Sequence, residues 1–305
     1  MKFPKLKSRV LLAPMAGVTD VAFRELCRKY GAGLTYTEFV NAIAIGRNNK
    51  KTIEMLKTSK LESPSAVQIF GSEKEDFVNA VKKLKNKFDI FDINCGCPAY
   101  KIIKNNCGSG LLKNPEKIRE IIASVEKITG KPVTIKIRLG INNNSLAEKI
   151  VKIAEDAGAC AVAIHGRNVE QGYGGKADWQ TIKKIKENSN VIIIGNGDIV
   201  SPEIAKKRLE ESKVDYIMIG RGAIGNPYIF KQINDFLKTG KYQQKSKKIQ
   251  FLEYINFAKK YKVGFKQIRQ QAIWFTKGIE GSARLRQRIS KANTIQEVEE
   301  IIGFK

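Results

Sequence analysis

The sequence predicts an α/β fold: a (β/α)8 TIM barrel followed by a small all-helical C-terminal domain. Eight short runs rich in β-branched residues alternate with amphipathic stretches, the pattern of repeated βα units. Those runs are apolar almost throughout, as strands buried on both faces of a parallel sheet are. Strand signals then stop near residue 238, and only helical periodicity follows. Residues 9–237 fit the roughly 250 residues of such a barrel. A doubly wound open sheet made of the same strands is the competing architecture.

Taken in order, the strand segments are RVLLA (9–13), GLTYTE (33–38), SAVQIF (65–70), IFDIN (90–94), PVTIKIR (132–138), CAVAIHG (160–166), VIIIGNG (191–197) and DYIMIG (215–220). Helical spacing of apolar residues places helices at 19–30, 73–85, 115–129, 145–157, 178–188 and 202–211. The 39–63 connection reads as longer and partly irregular. Beyond the barrel (1–238), residues 239–305 form the helical domain, with helices at 249–260, 264–276, 282–290 and 294–302. Trp179 opens a barrel helix; Trp274 and Phe275 stand together in the tail and read as a packed pair.

The chain has 305 residues, 42% hydrophobic and 28% charged, the make-up of a soluble globular protein. No run approaches the roughly 18 apolar residues of a membrane span. The N-terminus lacks the apolar core of a secretory signal, so a cytoplasmic location is expected. The five cysteines are scattered and odd in number, which argues for reduced thiols rather than a disulfide framework. A net charge of +25 and a pI near 9.8 point to a polyanionic partner, nucleic acid above all. The tail from 238 onward holds 16 Lys and Arg against 5 Glu and no Asp, so the charge is concentrated there. No protein partner is evident.

Barrel active sites lie at the carboxyl ends of the strands, and the chemistry-bearing residues fall there one strand after another. Pro14, Met15 and Ala16 follow the first strand, Glu38 ends the second, and Gln68 lies in the third. Asn94-Cys95-Gly96-Cys97-Pro98 follows the fourth. Lys136 and Arg138 share one face of the fifth. His165, the only histidine, ends the sixth. Asn196, Gly197 and Asp198 follow the seventh; Gly220, Arg221 and Gly222 follow the eighth. Loops after strands seven and eight often bind phosphate, glycines allowing N–H groups to approach and Arg221 adding charge. A lysine projecting inward at 136 needs a counter-charge, either an anionic cofactor ring or a carboxylate such as Glu38 or Asp92.

INCGCPAY (93–100) is the most distinctive stretch. Cys95 and Cys97 are too few for a metal centre, which takes about four ligands, so no metal is expected. Gly96 and Pro98 stiffen a loop that presents Cys97, while Cys95 reads as packing. An unperturbed thiol ionises at about pH 8.5, so it remains a proton donor at neutrality.

Together these residues resemble the tRNA-dihydrouridine synthases, flavin enzymes that reduce uridine in tRNA. The resemblance rests on Pro14-Met15-Ala16, Gln68, Asn94 to Pro98, Lys104 with Gly108 to Leu112, Lys136 to Arg138, His165-Gly166-Arg167, Asn196-Gly197-Asp198 and Gly220-Arg221-Gly222. It implies FMN at the barrel mouth, with NADPH (or NADH) as reductant and tRNA as substrate. It implies that Pro14, Met15, Ala16, Gln68, Lys136, His165, Asn196, Gly197, Asp198, Gly220 and Arg221 bind the cofactor. Asn94, Arg138 and Arg167 would then contact substrate, Cys97 would protonate C5 of a flipped-out uracil, and the basic tail would grip tRNA. Members carry Lys-His where this chain has Gln270 and Gln271. The rival reading is another FMN barrel acting on a free pyrimidine, similar to dihydroorotate dehydrogenase.

Overall fold

Eight parallel strands form the centre of the computed structural model, which describes residues 1–303. They are β1 (Val10–Leu12), β2 (Val40–Asn41), β3 (Ala66–Phe70), β4 (Ile90–Cys95), β5 (Val133–Arg138), β6 (Ala161–His165), β7 (Ile192–Asn196) and β8 (Tyr216–Ile219). The hydrogen-bonded order is β1-β8-β7-β6-β5-β4-β3-β2. The ring closes through 33–37: Leu12 N–H donates to Leu34 O (2.9 Å) and Thr37 N–H to Ala66 O (3.0 Å). The helices are α1 (Val21–Lys29), α2 (Ala42–Gly46), α3 (Lys50–Met55), α4 (Lys74–Leu84), α5 (Tyr100–Ile103), α6 (Pro115–Thr129), α7 (Ala147–Asp156), α8 (Trp179–Glu187), α9 (Pro202–Ser212), α10 (Ile229–Thr239), α11 (Lys247–Tyr261), α12 (Phe265–Phe275), α13 (Ser282–Lys291) and α14 (Ile295–Ile302). The last two residues of the expected 239–305 segment lie outside the described residues.

Two expectations change. The predicted second strand, 33–38, is extended and buried, but it makes one rung to β1 and one to β3 rather than a ladder; β2 falls just after it. The predicted pattern also lacked a helix after the eighth strand. α10 supplies it, burying Ile229, Phe230 and Ile233 at helical spacing.

Two apolar layers follow from the strand alternation. Leu11, Leu34, Tyr36, Ile90, Ala161, Ala163, Ile194 and Met218 fill the barrel interior. A second layer between sheet and helices runs on without a break into the tail, through Phe251, Tyr254, Ile255, Ile268 and Phe275. Parallel register sets polar residues in rows across neighbouring strands: Gln68, Asp92 and Thr134 in one, Arg138, His165 and Asn196 in a higher one.

The tail is tied to the barrel mouth by specific bonds. Tyr254 donates to Asp20 Oδ2 (3.0 Å), and Asp20 also caps α1 through Phe23 N–H. Gln271 Nε2 donates to Val18 O (2.7 Å). Lys260 pairs with Glu25 and Lys29 with Glu253. Gly225, at φ +68, lets the β8 loop meet α12: a Cβ there would stand 2.2 Å from Trp274 O. Gly225→Ala should therefore lower stability by about 2 kcal/mol or more through strain and loss of docking. Urea denaturation checks this, and a neutral result would contradict the contact.

Candidate active site

The β4 end is organised by side-chain hydrogen bonds. Asn94 Oδ1 accepts the N–H groups of Gly96 (3.1 Å) and Cys97 (3.0 Å), which folds the chain into a tight turn right after the strand. Asn94 Nδ2 donates to Gln68 Oε1 (2.8 Å), and Gln68 Nε2 donates to Asp92 Oδ2 (2.6 Å). Thr134 Oγ1 donates to Asp92 Oδ1. Cys97 is braced from the other side, where its carbonyl accepts from both Ser109 N–H (3.1 Å) and Ser109 Oγ (2.9 Å). Of the five cysteines only Cys97 is partly exposed. Burial pushes the Cys95 thiol well up, so it remains a packed, protonated group.

Lys136, next to Asn94 in register, is half-buried and has neither hydrogen bond nor ion pair among the described residues. Burial, then Arg138, draws its ammonium down to about 8, with Asp92 acting the other way. Burial lifts Asp92 to about 6 against its hydrogen bonds and Lys136. Glu38 is not the partner of Lys136. It accepts from Gly17 N–H (2.5 Å) and Gln267 Nε2 (3.3 Å), joining the β1 loop to α12.

Cations gather across β5, β6 and the last two loops. Arg138 and Arg167, expected to contact substrate, are 2% exposed and have their guanidinium groups engaged by loop backbone. Arg138 donates to Gly96 O (3.1 Å), Asn168 O (2.8 Å) and Gly172 O (2.8 Å). Arg167 donates to Gly174 O (2.8 Å), Gly175 O (2.6 Å) and Asp198 Oδ2 (2.8 Å). Asp198 also accepts from Ala177 N–H (2.8 Å) and Arg221 (3.1 Å). Gly197 takes φ +134, and a Cβ there would lie 2.6 Å from Ala177 Cβ and 3.3 Å from His165 Cδ2. Asn196 Nδ2 donates to Met218 O (2.7 Å), tying the ends of β7 and β8 together.

His165 sits among these cations. Burial first, then Lys136, Arg138, Arg167 and Arg221, pushes its pKa to about 2. Its Nε2 faces Arg167 Nη1 at 3.4 Å. Arginine can only donate, so Nε2 accepts and the ring proton sits on Nδ1. Sequence reasoning missed Tyr173, 59% exposed, whose ring lies 4.9 Å from the Arg221 guanidinium and 5.6 Å from that of Arg138. The signal that could have found it is an aromatic residue inside the glycine-rich QGYGG run (171–175).

At the β1 end, Met15 O accepts from Val18 N–H (3.1 Å) and Thr19 N–H (3.0 Å), leaving Ala16 and Gly17 exposed at the mouth. At Gly220 an added Cβ would rest in ordinary van der Waals contact with Ala13 Cβ and Met15 Sδ, both at 3.8 Å. The expected cofactor residues thus ring one mouth with surplus positive charge and an unpaired ammonium, which fits a flat group carrying a phosphate. Among the described residues no cluster of three or more His, Cys, Asp or Glu could hold a metal.

Fold and site together define a barrel with a cation-lined mouth and a thiol beside it. A family model described as dihydrouridine synthase matches residues 11–303. The chain is 41% identical over 238 residues to tRNA-dihydrouridine synthase B of Shewanella oneidensis, covering 77% of this chain and 74% of that protein. It is 35% identical to tRNA-dihydrouridine synthase B of Pseudomonas aeruginosa over 94% of this chain and 89% of the relative. Among solved structures, the old yellow enzyme homologue of Zymomonas mobilis shares the fold at 13% identity and TM-score 0.58, over 80% of this chain and 93% of that one. A 2-naphthoyl-CoA reductase does so at 13% identity and TM-score 0.62, over 75% of this chain; this chain spans half the length of that protein. The chain belongs to the dihydrouridine synthase family.

Below about pH 6.5 an unfolded histidine binds a proton, whereas folded His165 stays neutral down to about pH 2. The unfolded state therefore gains on acidification, and stability falls from pH 6.5 downward. His165→Asn lacks that loss, so any advantage of the parent in melting temperature should shrink between pH 7.5 and 5. A pH-independent gap would contradict the neutral ring.

Proposed function

We propose that this chain reduces the C5–C6 double bond of specific uridines in tRNA to give dihydrouridine, with Cys97 as general acid. The observation that carries the reading is the Asn94-to-Cys97 turn standing over the same mouth as unpaired Lys136. The family and the named relatives support the substrate, and the basic tail supports a phosphate-rich one.

Bound FMN would supply the hydride. Backbone at Pro14, Met15 and Ala16, the Gln68 amide, Lys136 and neutral His165 would hold its ring; Asn196, Gly197, Asp198, Gly220 and Arg221 would hold its ribityl phosphate. Lys136 offers its charge to an anionic ring edge. The base gains a hydride at C6 and a proton at C5, and Cys97 Sγ is the proton source. Partial exposure lets the resulting thiolate recover a proton from water. Asn94 has one Nδ2–H left for a carbonyl of the base. Arg138 and Arg167 brace the 166–175 loop against the cysteine turn instead of gripping substrate. NADPH is the reductant in this reading, and the cytoplasm the setting, in keeping with five free thiols. The basic tail grips tRNA, and α13 gives it an edge for phosphates: Arg284, Arg286, Arg288 and Lys291 share a helix that has no carboxylate of its own.

The test is rapid mixing of reduced holoenzyme with tRNA or with free pyrimidines. tRNA should reoxidise the flavin, and faster reoxidation by a free pyrimidine would favour the rival reading. Cys97→Ala should slow that step by about 10²–10⁴ with the flavin retained, and full activity would remove Cys97 as the acid. Cys95→Ala should cost no more than severalfold. Replacing Arg284, Arg286 and Arg288 together by Glu should raise KM for tRNA about tenfold or more, while flavin reduction by NADPH holds. An equal loss in both would make α13 structural.

A further inference from the structure

The bonds from Thr134 through Asp92, Gln68 and Asn94 to the N–H groups of Gly96 and Cys97 form a single file across β3, β4 and β5. Its two ends have fixed character. An ionised carboxylate only accepts, and a backbone N–H only donates. Between them stand two carboxamides, each able to turn over. One arrangement alone satisfies every link. Were Gln68 reversed, it would set Oε1 against Asp92 and Nε2 against Asn94. Asn94 would then have to follow, bringing Nδ2 against two N–H donors.

We propose that Asp92, held by Thr134, is a positioning residue for Cys97: as the acceptor at the far end, it sets the orientation of Gln68 and Asn94. This rests on the function proposed above. Two consequences follow for that site. The 96–97 turn is held by Asn94 Oδ1, so the thiol is presented in one place. And Asn94 keeps an N–H, not an oxygen, for the base. That matches a carbonyl oxygen and mismatches an exocyclic amino group, which separates uracil from cytosine if the contact is at the 4-position. Asp92 is 2% exposed, and its raised pKa of about 6 still leaves it ionised, hence acceptor-only, at neutral pH.

A double-mutant cycle tests the direction of the chain. In Asp92→Asn the new carboxamide can turn its oxygen to Gln68 and donate to the Thr134 hydroxyl, so the direction survives. Thr134→Val leaves the carboxylate accepting from Gln68. Together the two changes take away the hydroxyl that fixed the carboxamide's orientation, so its N–H can face the Gln68 oxygen and the direction of the chain is no longer imposed from that end. Two readouts on the holoenzyme apply: deuterium exchange at the Gly96 and Cys97 amides, and single-turnover reoxidation of reduced flavin by tRNA.

Each single variant should stay within about fivefold of the parent. The double should exchange faster, and react with tRNA more slowly, by about tenfold or more beyond the product of the singles. Flavin reduction by NADPH and the melting temperature should show no such excess. Singles that simply multiply in both readouts would overturn the inference. A parent whose reduced flavin is not reoxidised by tRNA would instead overturn the function reading, and the exchange cycle alone would then decide the direction of the chain.

Discussion

The hydrogen bond from Gln68 Nε2 to Asp92 is the constraint on which the barrel mouth depends. It lies in the fully buried interior, where a bond to a charged group is worth about 1.5–3 kcal/mol and an unmade one costs as much again. Parallel register puts Gln68, Asp92 and Thr134 side by side on three strands. Asn94 stands two residues on from Asp92, on the same face of β4. The turn at Gly96 and Cys97 is then a consequence of strand geometry, since the acceptor that closes it is fixed from below. A thiol on a free loop would sample many positions, whereas this one is held from Asn94 on one side and Ser109 on the other.

Charge balance explains the rest of the mouth. Lys136, Arg138, Arg167 and Arg221 converge near His165, while Asp198 is the carboxylate that binds two of them directly. Loop carbonyls satisfy Arg138 and much of Arg167, so those two cations serve as struts, and their charge still depresses His165. Lys136 has no such partner among the described residues. The residual positive field is what an anionic, phosphate-bearing group needs. It also keeps the histidine neutral, as a donor through Nδ1, throughout the physiological range.

Much of this was legible in the sequence because a parallel barrel carries every strand's carboxyl end to one rim. Gln68, Asn94, Lys136, His165 and Asn196 could be placed together from strand positions alone. The partners that come from loops could not. For Arg138 and Arg167 the strand positions give no sign that the backbone of 168–175 folds over them and accepts from both. Glu38 looked available to Lys136, yet the tail's Gln267 and the Gly17 N–H hold it. Gln271 stands where the family resemblance puts a histidine; it is fully buried and its Nε2 donates to Val18 O, so it docks α12 under the β1 loop. The 33–38 segment makes one rung to each neighbour, Leu12 to Thr35 and Tyr36 to Ala66, a pairing that period-two spacing does not encode.

A thiol, an amide with a spare N–H and a cation-lined mouth stand on one barrel with a basic helical tail. Those parts make sense together on a base presented by a folded polyanion. The most direct measurement is mass mapping of an unmodified tRNA transcript after incubation with holoenzyme and NADPH. A gain of two mass units, confined to one or a few defined uridines and absent with free uridine monophosphate, is the predicted result. No mass gain in tRNA, or equal reduction of the free nucleotide, would contradict it.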